Sequence, residues 1–380
     1  MEDAGDVAAA AGASNDNAQS ADTMTITTRR DKSIPMRLLH ALIRPLRPRL
    51  VRSKPCARAE SPRLSPPRRL SGTHTVAERR VDGIWLYDVA RRRVDSAGRT
   101  PKGDRSRAGS ATASNKTRIY YFAGGGWLAP PSPQHWAFVG ALTDRVPDVV
   151  LTVVSPPLAP ACPASVSMPQ LRTLYSSLMA QAARDGEAVV FAGDSSGGNL
   201  ALCLTLWALA DEEDEKGPKH PARHPGTRPT AVMVISPTTD LRHEHGGIET
   251  AAKSDPVSTV PFIRSTAKAW CARPSTQSLP GPDGPTMWTS WTACDPRVSP
   301  ALADLRLFAR HGVQVHGVVG TADVLAPEAV DFMYSCRDAG AQGQWLVWEG
   351  QMHCFPLASR YRLRESVQAL EWVVSVLRDA

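Results

Sequence analysis

The run AVVFAGDSSGGNLALCLTLWALA, residues 188–210, decides the fold. Ala188–Ala192 is apolar and rich in β-branched residues, as a strand buried on both faces requires. The dozen residues from Asn199 read as a helix. Between them lies Gly193-Asp194-Ser195-Ser196-Gly197-Gly198. A serine with glycines two positions before and after it, set between strand and helix, marks a turn so tight that side chains at 193 and 197 would collide. Such a turn raises Ser195 clear of the sheet, and the next helix points its N-terminus toward negative charge developing there. Ser195 is the candidate nucleophile.

Similar runs recur on either side. Thr117–Phe122, Val149–Val154, Ala231–Ile235, Val313–Val319 and Gln344–Trp348 read as strands, as does Val81–Ala90 upstream. Helix-length segments separate most of them, namely Met168–Arg184, Leu200–Ala210 and Pro327–Ala339, and Glu365–Leu377 supplies a closing helix. Alternation of this kind predicts an α/β protein with a mostly parallel central sheet flanked by helices. Asp211–Thr230 is charged and Pro-rich, which suits a surface loop. Leu241–Ala303 is longer, holds Trp270, Trp288 and Trp291, and has the size of an insertion after a central strand.

About seventy residues before Ser195, Tyr121-Phe122-Ala123-Gly124-Gly125-Gly126-Trp127 ends a strand. Consecutive glycines there let the backbone fold back and expose its amides. Those of Gly124 and Gly125, with that of Ser196, could hold the oxyanion of a tetrahedral intermediate, each donor contributing roughly 3 kcal/mol to lowering the barrier.

The pair GGG after a strand and GDSSGGN downstream resembles the hormone-sensitive-lipase branch of the α/β-hydrolases, whose usual forms are HGGG and GDSAGGN. The resemblance runs from about Ile119 to the C-terminus, and Asp295-Pro296-Arg297-Val298-Ser299-Pro300 fits the segment just beyond that family's cap. It implies an α/β-hydrolase fold capped by the N-terminal region and by residues 241–303. It also implies a serine esterase or lipase-like activity on a small or medium-sized carboxylic ester. Ala123 stands where the family usually has His, a residue that braces the glycine loop. Asp194 is similar to a family residue that supports the oxyanion loop.

A serine nucleophile needs a base, and the base an orienting acid. In this fold the chain order is Ser, acid, His. Asp323 follows the strand Val313–Val319 and His353 follows Gln344–Trp348, so adjacent parallel strands would deliver both to the edge that carries Ser195. Glu328 and Asp331 are the rival acids; His220, His224, His243 and His245 sit in polar stretches and are expected to face solvent. Trp127, His135 and Trp136 follow the glycine loop and are candidates to line a substrate pocket. This chemistry requires no metal or organic cofactor, and no zinc, EF-hand or phosphate-loop spacing occurs. The same triad would serve amide, carbamate or lactone cleavage or acyl transfer, and a binding protein with impaired catalysis is a further alternative.

Charge divides the chain. Residues 36–110 carry 19 Arg and Lys against 6 acids, and the remainder 25 against 31. No nucleic-acid-binding module accompanies the basic arm, so no nucleic-acid partner is expected. Residues 1–32 are polar, without apolar periodicity, and are expected to be disordered. Residues 33–110 form the basic arm, with a first strand and a helix over Met36–Arg44 ended by Pro45 and Pro48. In that helix Leu38, Leu39, Leu42 and Ile43 recur at helical spacing, which suits packing over the active-site mouth and also weak contact with a membrane surface. Residues 111–380 make the catalytic domain. Seven scattered cysteines lack a Cys-x-x-Cys pair and read as reduced thiols. With no secretory-signal pattern at the start, the expected location is cytoplasmic.

Overall fold

The apolar runs become strands of one nine-stranded sheet. The computed structural model describes residues 24–47, 60–92, 116–216, 228–274 and 291–379. In chain order the strands are β1 (Thr25–Arg29), β2 (His74–Val81), β3 (Ile84–Arg91), β4 (Lys116–Phe122), β5 (Val149–Ser155), β6 (Glu187–Asp194), β7 (Ala231–Ile235), β8 (Gln314–Ala322) and β9 (Gln344–Met352). The helices are α1 (Ile34–Ile43), α2 (Arg68–Thr73), α3 (Pro133–Arg145), α4 (Ala164–Asp185), α5 (Ser196–Lys216), α6 (Ile248–Ser254), α7 (Val260–Trp270), α8 (Arg306–His311), α9 (Ala326–Asp338) and α10 (Arg364–Asp379).

Across the sheet the order is β1-β9-β8-β7-β6-β4-β5-β3-β2. Only β3 runs against its neighbours β2 and β5. Helices cover both faces. Along β4, Ile119 and Tyr121 belong to one buried cluster with α3 and α10, while Tyr120 and Phe122 belong to another with α4, α5 and α9. That alternation is the period of two of a strand packed on both sides.

The chain leaves β4, turns outward to β5, then returns to β6 on β4's other side. At such a reversal the loops at the strands' carboxyl ends part and leave a crevice. The glycine loop follows β4 and the Ser195 turn follows β6, with Phe122 in register with Gly193. The two motifs that stand seventy residues apart in sequence therefore meet at one edge.

Two expectations need correction. Val81–Ala90 is the turn and second arm of a hairpin, not one strand: Asp82 and Gly83 both take positive φ, 47° and 79°, the two-residue turn that joins antiparallel strands. The supposedly disordered N-terminal tail contains β1, paired parallel with the outer edge of β9. That edge offers unpaired amides and carbonyls, and Arg29 lies over the Trp348 ring at 4.0 Å. A polar segment can fill such an edge without any apolar periodicity. Residues 1–23, the polar stretch from 93 to 115, His220, His224 and Trp288 lie outside the described residues. Among the described residues no helix is long and apolar enough to cross a membrane.

Candidate active site

Ser195 sits between the end of β6 and the start of α5 with φ of 52°, a left-handed conformation rarely held by a residue with a side chain. The surroundings enforce it. The Ser195 N–H donates to the Ile235 carbonyl at 2.9 Å, and the Ser195 carbonyl accepts from Asn199 N–H at 3.1 Å. A Cβ on Gly193 would stand 2.5 Å from the backbone of Gly197, and one on Gly197 would strike the Phe122 carbonyl. The two glycines leave the space in which the turn closes.

Asp323 and His353 emerge from neighbouring strands β8 and β9. Asp323 is fully buried, and its Oδ2 accepts from His353 Nδ1 at 2.7 Å while Oδ1 accepts from Leu325 N–H at 3.0 Å. Burial opposes a charge on His353, but the Asp323 carboxylate outweighs it and holds the imidazole well above the usual histidine range. His353 and Ser195 line the same cavity. Glu328 instead pairs with His243 at 2.9 Å, and Asp331 with His245 at 3.0 Å, so both rival acids are engaged elsewhere. His243 corrects its expectation. It is buried, because the Glu328 carboxylate reaches its Nδ1 inside the protein, and it borders a small cavity beside Ser195.

Asp194 joins the two motifs. Its Oδ1 accepts from Tyr121 Oη at 2.5 Å and from Gly124 N–H at 3.1 Å; His135 Nε2 lies 3.1 Å from Oδ2. Burial pushes this carboxyl up, yet His135, Tyr121 and the Gly124 amide outweigh it and hold it below the ordinary aspartate range. The Ser132 N–H donates to His135 Nδ1 at 2.9 Å, which leaves the imidazole proton on Nε2, facing Asp194. Gly124 was expected among the oxyanion donors; its amide points at Asp194 and braces the loop. Gly125 and Gly126 line the cavity beside Ser195 with φ of 143° and 61°. Ser196 Oγ accepts from Trp127 N–H at 3.2 Å, a second tie between turn and loop.

The cavity over Ser195 measures about 600 Å³ and has mostly apolar walls, among them Leu39 and Ile43 of α1, Val257, Phe262 of α7 and Leu357. Trp127 stacks on Trp270 of α7, with centroids 5.6 Å apart and planes 9° from parallel. It borders the small cavity next to Ser195. Trp136, expected in the pocket, belongs to the core beneath α3, where it meets Tyr87 edge-on at 5.9 Å. Its helix turns it toward the sheet while the preceding residue, His135, reaches the site.

Sequence reasoning missed Asp255. It is fully buried; Oδ1 accepts from Val257 and Ser258 N–H at 2.6 and 2.9 Å, and Oδ2 from Val324 N–H at 2.8 Å. Burial, then the neighbouring Asp323 charge, raise its carboxyl to about 6. It ties the cavity wall at 257–258 to the residue after Asp323. Two of its partner amides belong to the turn that follows it, and the tie to the triad comes only from Val324, 69 residues on, which no local pattern marks. Among the described residues no group of three or more His, Cys, Asp or Glu is placed to hold a metal ion.

The profile of the alpha/beta hydrolase fold family matches residues 119–357. An esterase of Acinetobacter venetianus is 24% identical over 260 residues, covering 68% of this chain and 74% of that protein. The carboxylesterase/phospholipase LipF of Mycobacterium tuberculosis is 25% identical over 266 residues, 69% of this chain and 62% of LipF. Among solved structures, an esterase from the bacterial hormone-sensitive lipase family superposes with a TM-score of 0.62 at 18% identity, over 92% of this chain and 99% of that one.

Proposed function

The chain belongs to the α/β-hydrolase fold family and carries hormone-sensitive-lipase-like motifs; from that premise we propose that it is a serine hydrolase cleaving a carboxylic ester through an acyl-enzyme on Ser195. The observation that carries this reading is the 2.7 Å contact between His353 Nδ1 and Asp323 Oδ2 at a cavity that Ser195 shares. The names of the similar proteins, esterase and carboxylesterase, support the same reaction class.

In this mechanism His353 Nε2 takes the Ser195 hydroxyl proton as Oγ attacks the ester carbonyl. Asp323 fixes the tautomer that leaves Nε2 free and stabilises the imidazolium. The amides of Gly125, Gly126 and Ser196 receive the oxyanion, while Gly124, held by Asp194, fixes the loop that presents them. The intermediate collapses, the C–O bond to the leaving alcohol breaks, and that alcohol takes its proton from His353. Water, deprotonated by the same imidazole, then attacks the acyl-enzyme and releases acid and free serine. The apolar wall formed by α1 and α7 acts as a cap and favours a small to medium acyl group.

Labelling with a fluorescent fluorophosphonate tests the reading, since the probe reports an activated serine without a choice of substrate. Wild type is expected to label, and folded Ser195→Ala and His353→Ala variants are not. A folded wild type that stays unlabelled would overturn it.

A further inference from the structure

Helix α1 is apolar on two sides. Met36 and His40 are buried beneath it, and Leu39 and Ile43 form part of the cavity wall. Ile34, Leu38 and Leu42 follow one another at four-residue spacing on the other side and are 72%, 58% and 71% exposed. Leu46, one turn further, continues the stripe. Of the six exposed large hydrophobic residues among those described, four lie on this segment. A fifth, Tyr361, borders the mouth of the same cavity. Scattered exposed leucines need no explanation, but a contiguous stripe at the rim of a cavity marks a surface that meets something apolar.

The charge around the stripe says what. From Ser33 to Arg47 the sequence holds Arg37, Arg44 and Arg47 and no acidic residue. Across the mouth, Arg360 lies over the Tyr361 ring at 5.2 Å, and Arg362 beside it is exposed. The exposed acids on the adjoining segment are paired: Asp31 with Arg29 and Arg364, and Glu349 with Arg30. Arg44 and Arg47 donate to the Lys253, Ala252 and Ser258 carbonyls, which hold the helix on the cavity rim, whereas Arg37, Arg360 and Arg362 are exposed. Leucines flanked by such exposed arginines suit the boundary between acyl chains and anionic headgroups.

We propose that α1 docks the protein on an anionic lipid surface, with Ile34, Leu38 and Leu42 entering the interface and Arg37, Arg360 and Arg362 meeting the headgroups. Leu39 and Ile43 lie on the same helix, so docking sets the cavity mouth against the lipid. The docking itself does not depend on the catalytic reading; passage of a lipid-borne ester into the cavity does.

The test is sedimentation of the full chain with vesicles of phosphatidylcholine alone, or with phosphatidylglycerol as about a third of the lipid. Hydrolysis of a short water-soluble ester is followed in parallel. Wild type is expected to bind the anionic vesicles about tenfold or more tightly than the neutral ones. Leu38→Ser/Leu42→Ser should lose about tenfold in binding, and Arg37→Glu should lose part of the preference for anionic lipid. Both variants should keep the circular dichroism and soluble-ester turnover of wild type. Absence of wild-type binding to anionic vesicles, or unchanged binding by the leucine variant, would overturn the proposal. So would a wild-type dimer that the leucine variant dissolves, since that would assign the stripe to a second copy. Vesicle binding by a protein without soluble-ester turnover would leave the docking standing and count against the catalytic reading alone.

Discussion

His135 Nε2 stands 3.1 Å from Asp194 Oδ2, and the same carboxylate accepts the Gly124 amide through its other oxygen. The imidazole thus reaches the glycine loop through one shared aspartate, although position 123 holds an alanine. The loop's bracing histidine comes from the first turn of α3, twelve residues after Ala123, oriented by the Ser132 amide on its Nδ1. Nothing at residues 123–126 compensates for the alanine; the compensation is visible only once α3 is folded back over Asp194.

Replacing His135 with Ala should therefore slow the chemical step. Asp194 would keep Tyr121 and Gly124 but lose a partner for Oδ2, and the glycine loop would drift by a fraction of an ångström. Displacements approaching 1 Å in such sites cost on the order of 100-fold, so a fall in kcat of about 10- to 100-fold is expected, with KM for a short ester little changed. Steady-state kinetics separate the two constants. A rise in KM with kcat intact would place His135 in substrate contact instead.

The pH dependence follows from the His353–Asp323 pair. The base must be neutral to accept the serine proton, and Asp323 raises its affinity for a proton. The acid limb of kcat/KM is therefore expected at higher pH than an ordinary histidine near 6.5 would give. In Asp323→Asn the carboxylate's attraction is gone and burial remains, so the limb should move to lower pH. The loss of the correct tautomer should reduce kcat by about 10⁴. A limb that stays in place in Asp323→Asn would show that another group titrates.

Gly197→Ala tests the steric account of the turn. The added methyl would meet the Phe122 carbonyl, a backbone atom of a central strand that cannot swing aside. Overpacking of this kind typically costs about 1–3 kcal/mol, to be read as a shift in the midpoint of chemical denaturation. Gly246→Ala serves as the control, because its Cβ would meet no atom within 4 Å.

The parts legible in the sequence were those in which one segment carries its own instruction. The strand–glycine–serine–glycine–helix run places the Ser195 turn by itself, and Asp323 and His353 each follow an apolar strand directly. What was not legible depended on partners far along the chain. β1 has no periodicity because β9 supplies its hydrogen bonds. His243 reads as a loop histidine until Glu328, 85 residues later, closes on it. Trp136 and His135 are neighbours, and only the rotation of α3 decides which faces the core and which the site. The Asp82-Gly83 turn was legible in principle, since that dipeptide favours a hairpin.

Asp255 gives the last expectation, in stability. Its carboxyl rises from 3.8 to about 6 on folding, so the native state holds a proton that the unfolded chain releases. The sign follows: this group's contribution is fully present below about pH 4 and is lost as pH rises through about 6. Asp255→Asn removes that titration while keeping a carbonyl to accept part of the Val257, Ser258 and Val324 amides. The difference in Tm between wild type and variant should therefore shrink, in the variant's favour, between about pH 4.5 and pH 7. A difference that stays constant over that range would mean that Asp255 titrates near 3.8 in the folded protein. The amide hydrogen bonds would then offset in full the raising effects of burial and of the Asp323 charge.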